Sequence, residues 1–288
     1  MSVLAVILAR AGSKGLPDKC VRPLCGRPML AYTIGHAQQA QSVDAIVLTT
    51  DSPRAAQIGR EHGVFVVDRP AELADDSAPV DAAARHALEV YERETDFHAE
   101  VIVLLYGNVP VRADDIIDRC VEHLLRTGAD SVRTVAPVGK MHPDWMHRLD
   151  GDRMIQFREN AIYRRQDLEP LYYHDAAVIA VTRGSLYTPP AHEEDYHAFL
   201  GRDRRGIVQN AEDAVDVDTI TDLYMAEAVL RARANAGRPP KAGAASIETT
   251  EGSSGAGMES ACTPQSGAPA RRSLILTGAV SYQHHERR

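Results

Sequence analysis

Five cations, Arg10, Lys14, Lys19, Arg22 and Arg27, crowd the first 27 residues of a 288-residue chain whose formal net charge is −8. Gly12 and Gly15 lie among them, in the run RAGSKGLPDK from Arg10 to Lys19. Glycine lets a backbone come close to an anion, and adjacent cations neutralise it. Backbone N–H groups from Ala11 to Gly15 can wrap phosphates, while Arg10, Lys14 and Lys19 supply mobile positive charge. Neither common phosphate motif is present. Gly12 is followed too soon by Ser13-Lys14-Gly15 for G-x-x-x-x-G-K-[ST], and G-x-G-x-x-G is absent. A P-loop NTPase and a dinucleotide-binding dehydrogenase are therefore disfavoured.

A second constellation stands far along the chain, at Asp216 and Asp218. Two residues apart on a strand, both carboxylates point to one side. Such a pair at a strand end binds Mg2+ and leaves positions for phosphate oxygens and water. The competing accounts are a solvated strand end, or Asp218 capping a helix that starts near Thr219. His174-Asp175 is a third pair, suited either to hydrogen bonds within a loop or to contact with a ligand. No G-x-S-x-G elbow accompanies it, so a hydrolase triad is not expected. The histidines of 142–147 do not match a zinc spacing.

The elements that must carry these residues read as an α/β series. Val3–Ala9, Ala45–Thr49, Val64–Val67, Val101–Leu105 and Ser131–Ala136 are short apolar runs that fit buried strands. Helices are expected over Pro28–Gln41, from Ser52-Pro53 to about His62, over Val80–Glu94 and over Asp114–Arg126. Strand–helix–strand repetition implies right-handed crossovers and a mostly parallel sheet. From Pro137 to Pro170 the alternation fails, with the single Trp145 and a hairpin turn expected at Asp150-Gly151-Asp152. Tyr172–Thr182 returns as a strand, Val215–Asp218 is a short strand end, and Thr219–Ala234 a last amphipathic helix. From about residue 236 Gly, Ala, Ser, Pro and Thr dominate, so 236–288 reads as a disordered tail, with Ser273–Val280 an apolar patch within it.

Composition narrows the classes. Hydrophobic residues make up 44% and charged residues 25%, which suits a globular protein with a substantial core. The acidic balance argues against general attraction to nucleic acid. No apolar stretch reaches 18 residues, so no membrane span is expected, and Val3–Ala9 lacks the basic lead of a signal peptide. Cys20, Cys25, Cys120 and Cys262 suggest reduced thiols in a cytoplasmic protein.

Several stretches occur together in one order: LARAGSKGLPDK (8–19), TTDS (49–52), RPAELADDSA (69–78), VPVR (109–112), RRQDL (164–168) and VDVDT (215–219). In this the chain resembles the sugar-activating nucleotidyltransferases, most closely the acylneuraminate cytidylyltransferases (CMP-sialic acid synthetases). The resemblance spans most of residues 1–235. It implies a Rossmann-like three-layer α/β nucleotidyltransferase fold with a small dimerisation excursion at about 137–170. It also implies transfer of CMP from CTP to the anomeric hydroxyl of a 2-keto sugar acid, with release of pyrophosphate. By that resemblance Arg10 and Lys19 neutralise phosphate and transition-state charge, and Ala11, Gly12, Ser13 and Lys14 hold the triphosphate. Arg69 and Ser77 belong to the loop that approaches the cytidine, and Asp216 and Asp218 hold Mg2+.

The acceptor side departs from the family. Where sialic-acid enzymes carry Q-P-T-S-P-L-R, this chain has YGNVPVR (106–112), with Tyr106 for the glutamine and Asn108 and Val109 for small hydroxyl residues. The arginine, asparagine and glycine expected before the next strand become Tyr173, Asp175 and Ala176. Arg165 and Gln166 do match, and an arginine there can pair with a sugar carboxylate across a homodimer. Tyr106, Asn108, Arg165, Gln166, Tyr173 and Asp175 are thus the expected sugar contacts. The acceptor is left open among sialic acid and related nonulosonic acids. The alternatives are a non-catalytic nucleotide-binding protein of this fold, or a sugar-nucleotide transferase with another acceptor.

Overall fold

The computed structural model describes residues 1–236 apart from Ser13, Glu193 and Glu194. The expected tail beyond residue 236, its Ser273–Val280 patch, Cys262 and the side chain of Ser13 lie outside the described residues.

Seven strands form one sheet: β1 (Val3–Leu8), β2 (Ala45–Thr50), β3 (Phe65–Asp68), β4 (Val101–Tyr106), β5 (Ser131–Pro137), β6 (Tyr172–Thr182) and β7 (Arg204–Val208). Their spatial order is β7-β5-β6-β4-β1-β2-β3. All six residues of β1 are buried. Alternate ones serve opposite faces, as the pleat requires. Ala5 and Ile7 pack with Leu30 and Ile34 of α1 (Met29–Gln39), Ile58 of α2 (Pro53–Glu61), and Ile117 and Val121 of a later helix over Ile116–Thr127. Leu4 and Val6 pack on the other side with Ala84 and Leu88 of α3 (Val80–Glu94). Leu4, Ile7, Leu30 and Leu88 are fully buried. Each contributes about 1.5–3 kcal/mol by leaving water. Helices on both faces make the expected three layers.

Two features were not expected. β6 runs antiparallel to both its neighbours, β4 and β5. The chain enters it from the 137–170 excursion rather than over a crossover helix. β7, sequence RRGIV, pairs parallel to β5 at the sheet edge. One expectation is corrected: Val215–Asp218 forms no strand, only a single antiparallel bridge from Val215 to Val111.

The final helix, Ile220–Ala236, packs through Leu223 and Ala226 onto Leu16, Met29, Val111 and Val217. This cluster ties the glycine-rich loop, through Leu16, to the residue between the two aspartates. In the excursion, strands His147–Asp150 and Arg153–Gln156 form a hairpin that turns at Gly151, φ +62°. Leu149, Ile155 and Phe157 are exposed there. Trp145 is half-buried, and its indole N–H donates to the Ile162 carbonyl at 3.0 Å. Among the described residues no helix is long and apolar enough to cross a membrane.

Candidate active site

β1 ends at the glycine-rich loop, and Lys19 opens a 3-10 turn, Lys19–Val21, on its far side. Ala11 donates its backbone N–H to the Asp51 carboxylate at 2.8 Å, which anchors the loop to the end of β2. Gly15 abuts the distant aspartate segment. A Cβ at position 15 would lie 2.6 Å from the Asp218 carbonyl oxygen, well inside van der Waals contact. Lys19, its side chain only 17% exposed, places Nζ 2.5 Å from Asp218 Oδ1. Residues 199 positions apart thus share one ion pair.

The aspartate segment is held from both ends. Val217 donates its N–H to the Asn108 carbonyl at 3.0 Å. The Asn108 side-chain amide donates to Asp216 Oδ1 and to the Val217 carbonyl. Thr219 and Asp222 form a reciprocal cap for the last helix: Asp222 Oδ2 accepts from the Thr219 N–H at 2.8 Å, and the Asp222 N–H donates to Thr219 Oγ1 at 3.3 Å. That arrangement removes the capping account of Asp218, whose carboxylate is 65% exposed and faces Lys19. Burial, then the neighbouring charge of Asp218, pushes the Asp216 carboxyl up to about 6. Two hard oxygen donors, one of them pushed up by burial and by the charge of the other, suit a divalent cation such as Mg2+. Among the described residues no group of three or more acidic, His or Cys side chains gathers around a common point.

A cavity of about 420 Å3 opens between these parts. Arg10, Lys19 and Arg69 line it, as do Tyr106, Asn108, Asp216 and Asp218. Arg69 is buried and donates to the Thr49 carbonyl at 2.9 Å, and burial lowers its pKa. Desolvation raises the Tyr106 phenol. Beneath the 106–109 turn lies Arg112, with no exposed surface. Its guanidinium donates to the carbonyls of Ala177 (2.7 Å), Tyr106 (3.0 Å) and Val109, and to Thr33 Oγ1 (3.1 Å). Burial brings it down to about 9, while the charges of Asp216 and Asp175 favour its charged form. The VPVR arginine therefore braces the turn that presents Tyr106 and Asn108.

Other expected site residues lie apart from the cavity or are otherwise engaged. Gly12 is exposed, and Lys14 is exposed with Nζ 2.5 Å from Asp76 Oδ2. Ser77 is exposed and donates its hydroxyl to Asp75 at 2.6 Å. Arg165 and Gln166 sit on an exposed 3-10 turn, outside the cavity of this chain. Tyr173 is 45% exposed and lines a neighbouring apolar groove instead. Asp175 is 5% exposed and accepts from Thr134 Oγ1, the Ala177 N–H at 3.0 Å and Gln209 Nε2 at 2.7 Å. These bonds brace a bulge in β6 where Ala176 adopts φ +62°. The Asp175 carboxylate is thus turned inward, and the amide of Asn108 is likewise engaged by Asp216.

Two residues escaped the sequence reading. Asp76 takes both Arg10 Nη1 and Lys14 Nζ at 2.5 Å. Its signal was an acidic doublet, Asp75-Asp76, in the loop expected to approach the cytidine. Arg133 is the second, and it lines the cavity beside His174, the residue the sequence had paired with Asp175 as a possible ligand contact. Arg133 is a lone cation in the apolar run SVRTVAP, a pattern that buries its side-chain stem on a sheet.

A family model described as cytidylyltransferase matches residues 4–196. The N-acylneuraminate cytidylyltransferase of Streptococcus agalactiae serotype V is 35% identical over 182 residues, 62% of this chain and 43% of that protein. The chain thus spans less than half the length of this curated relative. The CMP-N,N'-diacetyllegionaminic acid synthase of Legionella pneumophila is 30% identical over 233 residues, 80% of this chain and 97% of that one. Among solved structures, CMP:2-keto-3-deoxy-manno-octonic acid synthetase complexed with CTP superposes with a TM-score of 0.61 at 18% identity, covering 81% of this chain and all of that one. With its glycine-rich loop and paired aspartates meeting at one cavity, the chain belongs to the cytidylyltransferase family, of the acylneuraminate cytidylyltransferase type.

Proposed function

We propose that this protein transfers CMP from CTP to the anomeric hydroxyl of a 2-keto sugar acid of the sialic or nonulosonic class. The observation that carries the reading is the Lys19–Asp218 pair, which joins the phosphate loop to the two aspartates at one cavity. The anomeric oxygen attacks the α-phosphorus, the bond from that phosphorus to the β-phosphate bridging oxygen breaks, and pyrophosphate leaves. The hydroxyl proton passes to solvent. Charge builds on the α-phosphate oxygens and on the leaving group, so fixed cations there lower the barrier. Arg10 and Lys14 exchange Asp76 for the triphosphate, and Lys19, released from Asp218, neutralises the reacting end. Asp216 and Asp218 would hold Mg2+, which supplies further positive charge at the α-phosphate. Arg69 keeps the cytidine-side loop fixed to β2. The relatives' names favour nonulosonic acids as acceptors.

Pairing of two chains through the 137–170 hairpin, where Leu149, Ile155 and Phe157 are exposed, belongs to the same reading. So does a cytoplasmic location. The test is pyrophosphate release from CTP with sialic, legionaminic, pseudaminic and 3-deoxy-octulosonic acids, with and without Mg2+. Release that needs both an acid and Mg2+ is expected. No release with any acid refutes the reading. Asp218→Ala should cut turnover at least about 1000-fold with the fold intact.

A further inference from the structure

Four cations line the cavity, and three of them already have partners. Arg10 is paired with Asp76, Lys19 with Asp218, and Arg69 donates to Thr49. The fourth, Arg133, has neither a hydrogen bond nor an ion pair among the described residues, although its side chain is partly buried in the cavity wall. The acidic group beside it, Asp175, is buried and bonded to Thr134, Ala177 and Gln209. The basic residues next to it on β7 are engaged elsewhere: Arg205 forks onto Asp203 at 3.0 and 2.9 Å, and Arg204 Nε donates to the Gly201 carbonyl at 2.7 Å. A partly buried guanidinium that no carboxylate pairs or hydrogen-bonds is costly unless an anion arrives to meet it.

Its position says which anion. Arg133 lies on β5, three strand steps from β1 in the sheet order. At about 4.8 Å per step that is roughly 14 Å from the strand that ends in the phosphate loop. A nucleotide held on the loop leaves the β5 end of the cavity to the acceptor. There Arg133 faces Tyr106 and His174 across the same space as Asp216.

The geometry points to Arg133 as the residue that recognises the acceptor's carboxylate, in place of the expected clamp at Arg165. The inference rests on the reading of the chain as a cytidylyltransferase acting on a sugar acid. In a 2-keto sugar acid the carboxylate is bonded to the anomeric carbon. A planar guanidinium fork that grips it also orients the neighbouring hydroxyl toward the α-phosphorus. Arg133 therefore sets both the affinity for the acid and the discrimination against uncharged analogues.

The experiment takes the full-length protein, CTP and Mg2+, the acid that the wild type turns over fastest, and that acid's methyl ester. KM and kcat are measured for wild type, Arg133→Met, Arg133→Lys and Arg165→Met, with calorimetric binding of the acid as a second readout. Arg133→Met should raise KM for the acid about 100-fold, the usual loss when one partner of a buried charge pair is removed. Its KM for CTP should stay within about twofold. Its acid-over-ester preference should collapse, and Arg133→Lys should restore part of it. Arg165→Met should keep the preference. If Arg133→Met retains wild-type acid affinity and preference, the inference is overturned, and equally so if Arg165→Met alone loses them. Absence of turnover by the wild type with every acid overturns the underlying reading instead. An unchanged thermal midpoint separates recognition from misfolding, and a melted Arg133→Met leaves the Arg133→Lys and Arg165→Met preferences to decide.

Discussion

Replacing Gly15 by alanine tests the junction on which the site depends. A Cβ at this position would stand 2.6 Å from the Asp218 carbonyl oxygen, a backbone atom that cannot rotate aside. Ordinary contact begins near 3.4 Å, so the loop and the aspartate segment must separate by 3.4 − 2.6 = 0.8 Å. The same segment carries the 2.5 Å contact between Lys19 and Asp218, which so large a shift would break. Misplacing catalytic groups by about 1 Å costs on the order of 100-fold in rate. Gly15→Ala should therefore lower kcat by about that factor. The core cluster around Leu16 and Val217 can adjust, so the thermal midpoint should fall only a few degrees. Stopped-time pyrophosphate release at saturating CTP and acid, beside a melting curve, reads both quantities. A variant with wild-type kcat would show that contact between the loop and the aspartates is irrelevant to turnover.

Two further expectations concern charge. Asp76 occupies Arg10 and Lys14 in the absence of substrate, so Asp76→Ala should lower KM for CTP about two- to fivefold at low salt, an advantage that fades as salt rises. A raised KM in a titration across salt would instead make Asp76 part of the binding surface. His36, on α1, has a buried and unpartnered Nδ1, and burial first, then the charges of Arg112, Arg233 and Arg27, lower its pKa to about 3. The unfolded chain takes up that proton near pH 6.5 and the folded one does not. Stability should therefore fall as pH drops below 6.5, by up to about 1.4 kcal/mol per unit from this one group. Urea unfolding at pH 7 and pH 5 should show a shallower loss for His36→Gln than for wild type; identical losses would refute the assignment.

What the sequence disclosed was local. Val80–Glu94 and Tyr172–Thr182 were legible to the residue, the first because Pro79 precedes an alanine-rich helix former, the second because its Ala176–Val181 stretch is continuously apolar. β7 was hidden, because two arginines and a glycine on an edge strand carry no apolar alternation. Gly15 was singled out for the close approach of an anion, whereas what approaches it is the backbone of residue 218. Asn108 and Asp175 looked like sugar contacts because they stand where the family has other residues. In three dimensions both bind inward, one to Asp216 and one to the β6 bulge, and no spacing rule reports that. Arg133 was overlooked for the converse reason: a lone cation in a strand gives no sign of the cavity it faces until the sheet is assembled.

The central claim is that the sugar's own anomeric oxygen attacks the α-phosphorus of CTP. Acceptor acid whose anomeric oxygen is oxygen-18, turned over in ordinary water, tests it by phosphorus-31 NMR. The account predicts an isotope-shifted phosphorus in the CMP-sugar product and unlabelled pyrophosphate. Unlabelled CMP beside unconsumed labelled sugar, or label in a sugar phosphate, would contradict it.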